Sequence, residues 1–155
     1  MSEQNQEKVA QAAKIVRNHA IGTVAAGILP IPLLDIAILG GVQIRMLRQL
    51  AKHYDVEFSE QRANAIIASL VGVGTTAGAA SLLRLMPGVG RSLLGLGAIT
   101  LPFASTYALG QVFIKHFESG GTFLTFDASK AKGDYDEKVV EGRKEAETSY
   151  VGVKP

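Results

Sequence analysis

The chain opens on a helical alternation. Between Gln4 and Ala26, Val9, Ala12, Ala13, Val16, Ala20 and Val24 recur at helical spacing, while Glu7, Lys8, Gln11, Lys14 and Arg17 supply a polar side. The polar side disappears through Ile21–Ala26, as expected of a helix entering an apolar environment. Pro30 and Pro32 then interrupt the pattern, since each lacks an amide proton and restricts the residue before it. The chain should be extended there, with Pro32 opening a second helix and Asp35 in its first turn, where the helix dipole favours a carboxylate. Ile36, Leu39, Gln43, Leu47, Leu50 and Tyr54 form the next stripe. Arg45, Arg48 and Lys52 make its second half basic, which reads either as an interface with anionic lipid or protein, or as a solvated face. Ser59 is placed to cap a third helix.

Two runs without charge follow, Ala63–Leu83 and Ser92–Ile114, joined by a turn-rich elbow from Arg84 to Arg91. About 20 apolar residues cross a bilayer as a helix, so the two runs predict a central helical hairpin with arms at about 62–84 and 91–115. Small residues dominate both arms. Gly72, Gly74 and Gly78 are predicted to bring helices close, with Gly74–Gly78 a GxxxG pair. Thr106 and Gly110 form a second pair able to face the third helix, and Pro102 is expected to kink the fourth. Three glycines within seven positions would each cost about 1 kcal/mol in a helix in water, which favours lipid or tight packing. Neither arm is strongly hydrophobic, so the arms should insert as a pair or within an oligomer. Thr75, Thr76, Ser105, Thr106 and Gln111 read either as pore lining or, more commonly, as hydrogen-bonding groups between helices.

After Phe117–Gly121 the composition changes abruptly. Thr122–Asp127 is a short alternation suited to docking as an extended segment, and Ser129–Thr148 is densely charged, as in a solvated helix or a mobile tail. The expected fold is an all-α integral-membrane helical bundle of about four helices, with residues 1–126 as the membrane-associated domain and 127–155 as a charged tail. The composition fits: charged residues are 19% and hydrophobic ones 47% of 155 residues, with mean hydropathy +0.20.

Candidate chemistry is sparse. A net charge of +2, with no basic cluster interleaved with aromatics, gives no footprint for nucleic acid. There is no Cys, and His19, His53 and His116 stand in no metal-ligand spacing. Gly88-Val89-Gly90-Arg91-Ser92 lacks the ending of a phosphate-binding loop. No nucleophile, paired carboxylate or cofactor motif stands out, so neither an enzyme nor a cofactor is expected. The polar N-terminus does not read as a cleaved secretory signal.

The motifs do resemble a family. Ala20-Ile21-Gly22, the run Gly27–Asp35, and Gln43, Met46, Leu50, Ala51 and Tyr54 are similar to domain-of-unknown-function family 697. Phe58-Ser59-Glu60, Met86–Gly90, Thr106–Gly110 and Phe117–Phe123 fit the same pattern, so the resemblance runs from Val9 to Asp127. It implies a bacterial membrane protein associated with Era-like small GTPases, which would act in trans because this chain holds no GTPase domain. The expected role is a non-enzymatic scaffold or adaptor in the bacterial inner membrane, its polar ends cytoplasmic, with the bilayer, copies of itself and a GTPase as partners. An oligomeric channel and a soluble self-assembling helical protein are the alternatives.

Overall fold

A computed structural model describes residues 2–28, 32–71 and 90–150, and these form five helices with no strand among the described residues. The opening stripe becomes α1 (Glu3–Ile28), with Ala12, Val16 and Ala20 fully buried at four-residue spacing. Pro32 is the first residue of α2 (Pro32–His53), and Asp35 falls in its first turn. Its stripe buries Gln43, Met46, Leu47, Leu50 and Ala51. Next come α3 (Glu60–Val71), α4 (Gly90–Glu118) and α5 (Ala128–Tyr150).

Local chemistry sets the boundaries. α2 stops on Asp55, whose φ of 56° is left-handed. The Val56 N–H then reaches back to the Ala51 carbonyl at 2.8 Å, and the Asp55 N–H to Lys52 at 3.4 Å. α4 ends in the same nested pair of bonds around Gly120, φ 82°, with Gly121 N–H donating to His116 and Gly120 N–H to Phe117, each at 2.9 Å. Ser59 caps α3, its Oγ accepting from the Arg62 N–H at 3.4 Å. Asp127 caps α5 by accepting from the N–H groups of Ser129 and Lys130 at 3.0 and 3.3 Å.

α4 is the centre of the bundle. It lies against α1, α2, α3 and α5, most extensively against α5 and α1. Its residues Phe103, Ala104, Ala108, Leu109, Val112, Phe113, Ile114 and Phe117 are buried. The helix continues through Pro102 to Glu118.

The expectation of two spanning arms finds no support here. Among the described residues no helix is long and apolar enough to cross a membrane. Ser105, Thr106, Tyr107 and Gln111 dilute the second arm, and its Phe103, Leu109, Val112, Phe113 and Ile114 fill a protein core. Most of the first arm, with Gly72, Gly74, Thr75, Thr76 and Gly78, lies outside the described residues, as do Pro30 and the elbow up to Val89.

The charged stretch 129–148 is helical, one of the two expected readings, but one face of it is docked rather than solvated. It is α5, packed along α4 with Tyr135, Gly142 and Ala146 buried and Val139 partly so. Gly142 permits the approach: a Cβ there would lie 3.0 Å from both Ala104 Cα and Tyr107 Cδ1. Tyr107 donates to Glu141 at 2.7 Å, and Lys115 pairs with Asp134.

Candidate functional site

Three regions follow one another along the bundle axis. At one end is an aromatic cluster. Phe113 stacks on Phe126 at 4.6 Å between ring centroids, and Phe123 meets Phe58 and Phe117 edge-on at 5.4 and 5.5 Å. The Thr122–Asp127 segment therefore docks as a compact turn that carries Phe123 and Phe126 back onto α4, rather than as an extended strand. His116 Nε2 donates to the Thr122 carbonyl at 2.9 Å. A Cβ on Gly121 would come within 2.3 Å of that ring, so glycine is required there. His53 Nε2 likewise donates to the Lys8 carbonyl at 2.8 Å, tying the end of α2 to the start of α1. The Tyr54 hydroxyl is buried beside the Glu118 carboxylate, with no well-formed hydrogen bond among the described residues. Burial first, then the neighbouring Glu118 carboxylate, holds its pKa well above that of an ordinary phenol.

The middle region is a buried polar layer. Gln43 of α2, 1% exposed, donates from Nε2 to Thr106 Oγ1 at 3.2 Å and to Ser105 Oγ at 3.4 Å. Ser105 Oγ donates onward to the Pro102 carbonyl at 3.1 Å, and Thr23 Oγ1 donates to the Ala20 carbonyl at 2.6 Å. A buried amide costs free energy unless it is bonded, so this layer specifies how α2 sits against α4. One turn along, Gly110 lets α1 approach: a Cβ there would lie 2.4 Å from Val16 Cγ2. Thr106 and Gly110 thus meet α2 and α1, while the third-helix stretch they were expected to face, beyond Val71, lies outside the described residues. Among the described residues no base or carboxylate is bonded to Ser105 or Thr106, and their bonds tie helices together.

Beyond the layer α1, α2 and α4 carry few charges, while α5 runs alongside with Arg143, Lys144, Glu145 and Glu147, its Ala146 packed against Ala20 and Phe103. Between Arg17 and Ile28 on α1, from Ile36 to Ile44 on α2, and from Ser92 to Ile114 on α4 there is no Asp, Glu, Lys or Arg. Ile21 and Leu101 are 43% and 40% exposed there, although their neighbours Ala20 and Phe103 are buried.

The basic residues read from the sequence divide. Arg48 is used inside the molecule, 2.8 Å from Glu60 and 5.0 Å over the Phe58 ring. Arg45 and Lys52 are exposed on α2. Among the described residues no group of three or more His, Asp or Glu side chains is placed to hold a metal.

The sequence put Gln43 on a stripe but did not reveal its partners, which lie 62 and 63 residues away. The α5 stripe of Ala131, Tyr135, Val139, Gly142 and Ala146 was present in the sequence but hidden among charges. Its spacing of three and four is the signal that would have found it.

The sequence profile of the family described as "Domain of unknown function (DUF697)" matches residues 2–133. A relative from Magnetospirillum gryphiswaldense, named Magnetosome membrane protein 22, is 39% identical over 140 residues, covering 85% of this chain and 70% of that protein. No solved structure matches.

Proposed function

The chain belongs to the DUF697 family, and on that footing we propose that it is a membrane-associated, non-enzymatic scaffold. The observation that carries the proposal is the 39% identity to a protein named for a membrane. The bundle's own build supports it: the buried side-chain bonds described above serve packing rather than chemistry. The scaffold would self-associate at the bacterial inner membrane, its charged parts cytoplasmic, and recruit a partner such as a small GTPase acting in trans. The arms at 62–84 and 91–115 are not carried forward as spanning segments, because among the described residues no helix is long and apolar enough to cross a membrane.

A pore is not favoured, because Ser105 and Thr106 are buried and bonded to Gln43. The test is fractionation of bacteria expressing the tagged chain. The protein is expected in the membrane pellet, resistant to alkaline carbonate and released by detergent. Full release by carbonate would show a surface association only, and absence from untreated membranes would refute the association itself.

A further inference from the structure

The proposed membrane association leaves open which face of the bundle meets the bilayer. Resting on that reading, we infer that the outer face of the α1–α2 pair, through Lys14, Arg45 and Lys52, lies against the headgroups of anionic phospholipid. Charge is shared unevenly along the chain. From Lys8 to Tyr54 the cations are Lys8, Lys14, Arg17, Arg45, Arg48 and Lys52, against the single carboxylate Asp35 in the first turn of α2. α5 instead mixes Asp134, Asp136, Glu137, Glu141, Glu145 and Glu147 among its basic residues. Glu3 and Glu7 stand at the start of α1, and Asp55, Glu57 and Glu60 on either side of Phe58, all toward the aromatic end.

Helix phase decides which of these cations share a face. On α1, Ala12, Val16 and Ala20 are turned into the core, and Lys8 leans over the Tyr54 ring of α2, 4.9 Å from its centroid. At about 100° per residue, Lys14 points away from the core, whereas Arg17 stands half a turn around the helix from Lys8 and so points away from α2. On α2, Gln43, Leu47 and Leu50 face the core, His53 turns to α1 through the Lys8 carbonyl, and Arg48 turns to Glu60 of α3. Arg45 and Lys52 lie between those two directions, opposite the core. The bond from His53 to Lys8 also fixes the register. At 1.5 Å per residue, Lys14 and Arg45 stand roughly 9 and 12 Å along the axis from that bond, and Lys52 within about 2 Å of it. All three are exposed, and among the described residues none of them is held in a salt bridge or side-chain hydrogen bond.

The arrangement suits a plane of phosphates better than a single anion. The three cations are spread over two helices, with the neutral Gln11, Asn18 and Gln49 exposed among them, and no two converge on one point. The nearest carboxylates, Glu7 and Asp55, bound the patch at its aromatic edge, and Glu7 accepts a hydrogen bond from Gln11 at 3.3 Å. An acidic protein could meet the same charges; the bilayer is the favoured occupant because the 39% identical relative is named for a membrane. Each cation near an anionic surface strengthens binding about five-fold, so three of them orient the molecule and add to its attachment without anchoring it alone.

The full chain is diluted from detergent into phosphatidylcholine vesicles, with or without phosphatidylglycerol, and recovered by flotation. Lys14→Gln, Arg45→Gln and Lys52→Gln together should weaken binding to the anionic vesicles about 100-fold and leave binding to neutral vesicles unchanged. Arg17→Gln with Arg143→Gln and Lys144→Gln removes as many exposed cations from other faces, and should weaken it by no more than about five-fold, the effect of one charge. Added salt should narrow the gap between the two triple variants. Equal losses in both variants overturn the choice of face while leaving membrane association standing. A parent that floats equally with both vesicles overturns the headgroup contact, leaves the association standing and turns the patch toward an acidic protein. Failure of the parent to float with either vesicle overturns both.

Discussion

At the scale of single residues, two positions carry backbone demands that substitution can probe. Gly110 faces Val16, a fully buried β-branched side chain with little freedom to turn aside. Gly110→Ala should therefore cost about 1–3 kcal/mol despite the better helix propensity of alanine. Val16→Ala in the same chain should restore part of the loss, because it removes both γ-carbons from the contact; denaturant midpoints of the single and double variants measure this. Asp55 presents the opposite case. It holds a left-handed conformation that glycine adopts without steric penalty. Asp55→Gly should stabilise the protein by about 0.5–1 kcal/mol, read as a higher melting temperature. A lower one would show that the Asp55 side chain contributes more than its conformation costs.

At the scale of the helix, the Gln43 layer and α5 behave differently. Gln43→Leu leaves the Thr106 hydroxyl without the amide bonded to it and should destabilise the bundle by about 1–3 kcal/mol. Adding Thr106→Val should recover much of that, since the buried hydroxyl left unpaired is removed with its partner, while Ser105 keeps its bond to the Pro102 carbonyl. α5 is sensitive to acid. Hydrogen bonds from Ser129 and Lys130 hold the Asp127 carboxyl below its ordinary pKa, and Lys138, then Tyr107, do the same for Glu141. A carboxylate depressed on folding stabilises the fold fully above its unfolded pKa, about 4, and loses that contribution as the pH falls through the folded value. Protection factors of α5 amides should therefore fall ahead of those in α1 as the pH drops below about 4, and Asp127→Ala should flatten the difference. Much of this was legible in advance. The α1 and α2 stripes, the Ser59 cap and the Pro32 start follow from local periodicity and capping chemistry. The docking of α5 and the partners of Gln43 were not, because long-range pairing leaves no local trace and charges concealed the α5 stripe.

At the scale of the whole molecule, α4 changes meaning most between sequence and structure. Its freedom from charge reads as a lipid-facing segment when taken alone; in the bundle, four other helices share its surface. α5 covers one side of it, so the closeness of that contact sets how much apolar surface the molecule shows. Gly142→Leu should wedge α5 away from Ala104 and Tyr107. The variant should run as a larger species than the parent in light scattering after size exclusion; an unchanged size would mean that α5 shields nothing adhesive. The tight contact between Val16 and Gly110 has another consequence, which concerns time rather than space. Synthesis proceeds from the N-terminus, so α1 and α2 are complete before any residue of α4 exists. The closest-fitting contact of α1 closes a long loop and forms late. Until α4 is made, the nascent α1–α2 pair therefore shows a bilayer or a chaperone the sides of Val16 and Gln43 that α4 will later cover.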